Sequence, residues 1–276
     1  NEEFHHDLAG LGMKVAVAGA GTMGAGIAQT CAASGHGVLL YDTSEAARTR
    51  GMDALKSSLS RLVKKGSLSE DARAQALSRI TLVGDLGQFE DREVVIEAIF
   101  EQLEAKREFW TKTSDAVGPE ALLASNTSSL SITELASFAR QPERFCGMHF
   151  FNPVAVLPLV EVVRGVQTSE ATIRKAQAFV EGLGKTPIVC QDRPGFIVNR
   201  LLVPYVNDAA HALAEGVASA EDIDRAMKLG ANMPMGPLAL ADLIGLDTVL
   251  AIAEDPARLP RAAHQAPRRA LGPVRG

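Results

Sequence analysis

Residues Lys14 to Asp42, KVAVAGAGTMGAGIAQTCAASGHGVLLYD, leave a folding chain few choices. The run reads as an apolar strand, a glycine turn, a small-residue helix and a second strand, His36 to Tyr41, ending in a carboxylate. Gly19, Gly21 and Gly24 form G-x-G-x-x-G directly after Val15 to Ala18. The first glycine permits a tight turn, the second a close backbone approach by a pyrophosphate, the third close packing of helix on strand. The helix N-terminus then offers N–H groups and the positive end of its dipole to phosphate. Three glycines alone are a weak signal. The flanking strand and helix, and Asp42 placed 18 residues beyond Gly24, make it a dinucleotide fingerprint. Asp42 is suited to accept hydrogen bonds from a ribose diol and to repel a 2′-phosphate, which favours NAD over NADP. The alternative is an ordinary strand-end carboxylate capping the next helix.

The rest of the chain agrees with a strand–helix alternation. Ser44 to Lys65 has helical periodicity, with Leu55, Leu59 and Leu62 on one stripe and Lys56, Arg61, Lys64 and Lys65 mostly off it. A second helix is expected over Ser69–Ser78, strands over Ile80–Val83 and Val94–Ile99, a helix over Glu101–Val117, and a strand over Leu122–Ser125. Further strands are expected over Phe145–Phe151, Pro158–Val163 and Pro187–Cys190, with a helix over Ser169–Leu183 before the last. That pattern predicts an α/β fold, a doubly wound Rossmann-type sheet. Past residue 192 the alternation stops. Helical patterns over Gly195–Gly216, Ala220–Gly230 and Leu238–Ala253 predict a smaller all-helical C-terminal domain. GFIVNRLLVPYV is apolar nearly all round and is expected to be buried, with a kink at Pro204. The predicted division is 1–12, a leader or appended remnant; 13–191, the dinucleotide-binding domain; 192–255, the helical domain; and 256–276, a tail. That tail carries four of the thirteen prolines and five arginines with no carboxylate, a composition that suggests disorder or translation in a shifted frame.

Composition narrows the function classes. A net charge of −5 supplies no basic field for nucleic acid, and no apolar run approaches the ~20 residues needed to cross a bilayer. Cys31, Cys146 and Cys190 are scattered within apolar sequence, which reads as reduced thiols in a cytoplasmic protein and offers no metal-ligand spacing.

A dinucleotide fold says what is bound and not what is done. Ligands in such folds sit outside the carboxyl ends of the strands, which places Glu101 and the run Ser125 to Ser129 on the binding rim. Ser131 and Glu134 have capping-box spacing and are excluded from the chemistry. His149 interrupts the apolar run FCGMHFF, and Glu161 interrupts PLVEVV twelve residues later. A lone buried histidine is ordinarily a satisfied core residue. A carboxylate in a neighbouring apolar strand changes that, because burying its charge is costly without a partner. Such a partner fixes the imidazole tautomer and stabilises imidazolium, giving a general base for a hydroxyl proton. Asn199 sits in FIVNRLLV, where an unpaired amide costs ~1–3 kcal/mol; it binds either a substrate oxygen or a neighbouring helix. Ser128 is equally open.

The runs GAGTMG, ASNTSSLSI, GMHFFNPV, LVEVV, PGFIVNRLLVPY, EDIDRAMKLG and MGPLALADLIGLD, in this order from Met13 to about Ala253, resemble the L-3-hydroxyacyl-CoA dehydrogenases. The resemblance implies NAD-dependent interconversion of (S)-3-hydroxyacyl-CoA, such as 3-hydroxybutyryl-CoA, and 3-ketoacyl-CoA. It implies His149 as catalytic base, Glu161 as its dyad partner, and Ser128 and Asn199 as side chains holding the substrate. NAD contacts are implied at Gly19, Gly21, Thr22, Met23, Gly24, Asp42, Glu101, Lys106, Ser128 and Asn152, and contacts to the CoA of the acyl-CoA substrate at Ser58 and Lys65. The helical domain is where such proteins form homodimers. Family members usually run on through another helical segment to G-x-G-F-Y, and here the Pro/Arg-rich run stands in its place. Two other readings remain at this point: a related dehydrogenase of a non-CoA hydroxy acid or diketone, and an NAD-binding protein whose altered C-terminus leaves it with reduced activity.

Overall fold

The computed structural model describes residues 12–247, 249 and 250, and divides between Asp192 and Arg193 into two compact units. The leader and tail of the sequence analysis, apart from Gly12, lie outside the described residues.

The first unit is built on an eight-stranded sheet. In chain order its elements are β1 (Lys14–Ala18), α1 (Thr22–Ala33), β2 (Gly37–Tyr41), α2 (Glu45–Lys64), α3 (Glu70–Ser78), β3 (Ile80–Val83), β4 (Val94–Glu97) and α4 (Leu103–Ala116). There follow β5 (Leu122–Ser125), α5 (Ile132–Ala136), β6 (Phe145–Phe150), β7 (Leu159–Arg164), α6 (Glu170–Gly182) and β8 (Thr186–Gln191). The strand order is β3-β2-β1-β4-β5-β6-β7-β8, so the winding reverses between β1 and β4. All neighbours run parallel except β6 and β7. Val15 to Ala18 and Val94 to Ile96 have no solvent exposure, which is why the central strands read as continuous apolar runs rather than alternating ones.

Local chemistry sets the helix starts. Ser44, Ser69, Ser131 and Ser169 each accept a backbone N–H three residues on, at 3.1–3.2 Å, worth ~1 kcal/mol apiece. Ser44, rather than Asp42, caps α2. Ser131 caps α5 and also donates to Asp192 (2.8 Å), whose carboxylate takes the Ile132 and Thr133 N–H groups as well. The strand expected to reach Ile99 stops at Glu97, where the chain bends toward α4.

The second unit holds α7 (Val198–Ala214), α8 (Ala220–Gly230) and α9 (Pro237–Ile244). Ser219 caps α8, its side chain accepting the Asp222 N–H. Three expectations need correction. α7 begins at Val198 instead of Gly195, because Gly195 and Phe196 have φ of +76° and +49°, outside the right-handed region. It is not buried all round: Val203 and Val206 are buried, Val206 against Ala241 of α9, while Leu201 is 68% exposed. α9 ends at Ile244, where Gly245 at φ +100° interrupts the helix predicted over Leu238–Ala253; Leu246, Asp247, Val249 and Leu250 are helical again, and residues 251–253 lie outside the described residues. The start of α9 is held by Asp224, which accepts the Leu238 and Ala239 N–H groups at 2.8 and 2.9 Å.

Candidate active site

The glycine turn leaves β1 at the switch point. Gly19 has φ +100°, and a Cβ there would lie 2.4 Å from the carbonyl oxygen of Ala98. A Cβ on Gly24 would lie 1.7 Å from the carbonyl oxygen of Gly19, so helix and turn touch backbone to backbone. A Cβ on Gly21 would meet nothing within 4 Å. Gly21 is the N-cap of α1 and no side chain caps that helix, leaving its N–H groups to face a ligand. Asp42 closes the turn from β2: Oδ2 accepts the Ala20 N–H and Oδ1 the Ser44 N–H, both at 3.0 Å.

Around this turn lies a cavity of about 770 Å³, whose walls include Thr22, Met23, Asp42, Arg50, Phe100 and Phe109. Its size is that of a small-molecule pocket. The open space over Gly21, the uncapped helix and the rim carboxylate of Asp42 fit a dinucleotide. Arg50, Phe100, Phe109 and Lys112 carried no sequence signal as wall residues, because only the folded sheet brings them to one cleft.

At the ends of β4 and β5 the polar groups form a connected set. Glu97, with no exposure, receives the Lys106 ammonium and the Ile99 N–H (3.0 Å) on Oε1 and the Ser125 hydroxyl (2.8 Å) on Oε2. Lys106 is 1% exposed and also lies 3.2 Å from Oε2 of Glu101. Oε1 of Glu101 accepts from Thr127 Oγ1 (2.6 Å), Ser129 Oγ (2.9 Å) and the Ser128 and Ser129 N–H groups (2.9 and 3.1 Å); Ser128 Oγ lies at 3.4 Å. Burial pushes the Glu101 carboxyl up, but Lys106 and these hydrogen bonds outweigh it and hold the group below the ordinary carboxylate value. Asn126 Oδ1 accepts the Phe150 N–H (2.9 Å) and ties β5 to β6. Glu97 was visible in sequence by the rule that singles out Glu161, an ionisable group in an apolar strand.

His149 and Glu161 are direct partners in the antiparallel register of β6 and β7. Nδ1 of His149 lies 2.7 Å from Oε2 of Glu161, with the imidazole 6% exposed and the carboxylate fully buried. A carboxylate in its ionised form only accepts, so paired with one the imidazole would carry its hydrogen on Nδ1.

The remaining sequence candidates lie apart from these groups in kind. Asn152 is exposed and precedes a cis peptide bond to Pro153. Ser58 is half-buried and Lys65 exposed, at the middle and C-cap of α2. Asn199 is half-buried on α7 of the second unit. Burial pushes the thiols of Cys31, Cys146 and Cys190 up to about 12, which makes them poor nucleophiles. No cluster among the described residues has three or more groups able to hold a metal ion, and no described helix is long and apolar enough to cross a membrane.

Comparison with known proteins places these features. The family model described as 3-hydroxyacyl-CoA dehydrogenase, NAD binding domain, matches residues 14–193, and that of the C-terminal domain matches residues 195–271. The second match runs into the Pro/Arg-rich stretch. A probable 3-hydroxybutyryl-CoA dehydrogenase of Deinococcus radiodurans is 50% identical over 242 residues, 88% of this chain and 87% of the relative. A 3-hydroxybutyryl-CoA dehydrogenase of Bradyrhizobium diazoefficiens is 47% identical, over 89% of this chain and 84% of the relative. The crystal structure of an (S)-3-hydroxybutyryl-CoA dehydrogenase from Ralstonia eutropha superposes with a TM-score of 0.85 at 48% identity, covering 89% of each chain. Glycine turn, cleft and both domain matches thus lead to one assignment: the chain belongs to the 3-hydroxyacyl-CoA dehydrogenase family of NAD-dependent oxidoreductases.

Proposed function

We propose that the chain interconverts (S)-3-hydroxybutyryl-CoA and acetoacetyl-CoA, with His149 as general base and acid and Glu161 as the group that orients it. The 2.7 Å contact between them carries this reading. NAD, when bound, supplies the hydride acceptor for oxidation at C3. His149 takes the proton of the C3 hydroxyl at Nε2, and the buried Glu161 carboxylate stabilises the imidazolium that forms. In reduction the same imidazolium returns the proton. Ser128 and Asn199 hold the substrate oxygens, Ser58 and Lys65 the CoA portion. Gly19, Gly21, Thr22, Met23, Gly24, Asp42, Glu101, Lys106, Ser128 and Asn152 serve the dinucleotide. The short acyl chain rests on the relatives, which are named for 3-hydroxybutyryl-CoA at 45–50% identity.

The test is one assay. Acetoacetyl-CoA is expected to oxidise NADH when mixed with the protein and to oxidise NADPH much more slowly; the absence of turnover with either nucleotide, or equal use of both, overturns the reading or its cofactor preference.

Two further proposals concern setting. A homodimer through the second unit is supported by Leu201, Val217, Leu229 and Leu243, each 68–75% exposed; a monomeric sedimentation profile would refute it. A cytoplasmic, reducing location is supported by three cysteines that are all free thiols, and cell fractionation tests it.

A further inference from the structure

Glu97 does not itself line the dinucleotide cavity, although its Oε1 accepts the N–H of the wall residue Ile99, and it is a fully buried carboxylate in the strand beside the glycine turn. An uncompensated charge there is costly, so its partners define what it is for. Followed from atom to atom, those partners close on themselves. Glu97 Oε1 takes the Lys106 ammonium, which also lies against Glu101 Oε2. Glu101 Oε1 takes the Thr127 hydroxyl, the Thr127 N–H donates to Ser125 Oγ (3.2 Å), and Ser125 Oγ donates back to Glu97 Oε2. Five residues from the ends of β4 and β5 and the start of α4 therefore form one ring of hydrogen bonds, closed by the Lys106–Glu101 ion pair.

We propose that Glu97 is a positioning residue of the cofactor site, acting through this ring to fix the Glu101 carboxylate and the 125–129 turn. The proposal rests on the reading of Glu101 and Ser128 as groups that serve the dinucleotide. Its physics is a competition for Lys106. With both carboxylates present, the ammonium is shared and Glu101 remains free to gather the Thr127, Ser128 and Ser129 donors. When Glu97 loses its charge, a buried ammonium is left with Glu101 as its sole anionic partner in the ring. Glu101 is then drawn toward Lys106, and the turn that it organises loosens. Ser125 forms the other arm, linking Glu97 to the same turn without involving charge.

The experiment is NADH titration, by direct binding and independent of turnover, of Glu97→Gln, Ser125→Ala and the double variant. Burial of Trp110 on α4 makes its fluorescence the check on folding. Glu97→Gln is expected to weaken NADH binding about tenfold and to leave kcat at saturating NADH within about twofold. Ser125→Ala is expected to weaken it about threefold, and the double variant to be no weaker than Glu97→Gln, since one break already opens a ring. Glu97→Asp, which restores the charge, should recover part of the loss. A folded Glu97→Gln with NADH affinity within twofold of the parent overturns the proposal, as does a double variant whose losses multiply. Equal falls in kcat and NADH affinity across the set would indicate a purely structural role and also overturn it. If Glu97→Gln does not fold, Ser125→Ala alone decides, with unchanged affinity as the refuting result. A parent protein that binds NADH without acting on acetoacetyl-CoA would defeat the proposed reaction and leave this test intact.

Discussion

A histidine in an apolar strand becomes informative through what faces it. At His149 that partner is Glu161, and their 2.7 Å contact is the observation on which the proposed base rests. His149→Gln keeps a polar side chain of similar size but cannot gain and release the proton, so kcat is expected to fall by ~10²–10⁴-fold. NADH affinity should stay within about twofold, as measured by titration; a variant that keeps most of its rate removes His149 from the chemistry. Glu101 supports a second prediction at this scale. Its carboxyl is held below the usual value of 4.5 in the folded state, so in acid the unfolded chain binds the extra proton. The stabilisation is fully present above that ordinary value and is lost as pH falls through it toward the lower folded value. Glu101→Gln should therefore cost about 1–2 kcal/mol at neutral pH and flatten the loss of stability in that acid window, read from urea unfolding at a series of pH values. An unaltered slope would show that the hydrogen bonds from Thr127 to Ser129 do not discriminate between charged and neutral forms.

At the scale of elements, the strands and helices of the first unit were readable because local signals agreed. Ile80–Val83 and Leu122–Ser125 have the predicted boundaries, and serines at positions 44, 69 and 169 start their helices. The misses share a cause: information that no local window contains. Phe196 adopts φ +49° and delays α7, a strain that a sequence pattern does not display. Asp192 and Asp224 cap α5 and α9 from 59 and more, and 14 and more, residues away. The pairing of His149 with Glu161 was partly readable, since two isolated ionisable groups in adjacent strands implied a meeting. Their antiparallel register was not, because a spacing of twelve residues fits several registers. The glycine turn gives this scale its prediction. A methyl group at Gly24 would overlap the Gly19 carbonyl oxygen, and backbone on both sides leaves it no rotamer by which to escape. Gly24→Ala should cost ~1–3 kcal/mol of stability and abolish measurable NADH binding at concentrations that saturate the parent; retained affinity would show that the turn can yield.

Over the whole molecule, the sheet has two rims of different character. Ala18, Glu97, Ser125 and Phe150 end four parallel strands at one rim, where the carboxylates, the imidazole and the glycine turn collect. The antiparallel β7 delivers Glu161 to the same rim from the opposite chain direction. That asymmetry explains why strand ends flagged so many candidate residues while the connections entering the strands flagged almost none. The opposite rim, where Pro119 and Glu120 lie exposed just ahead of β5, holds the Arg144 guanidinium against the Gly118 and Ala121 carbonyls and carries none of the proposed catalytic or dinucleotide-binding groups. It is accordingly the place to graft a reporter. A fluorophore on Glu120→Cys should leave the kinetic constants within about twofold of the parent, since it stands a full strand's length, ~13–17 Å, from the chemistry. Immobilisation through that same position would present every molecule to solvent with its reactive mouth outward.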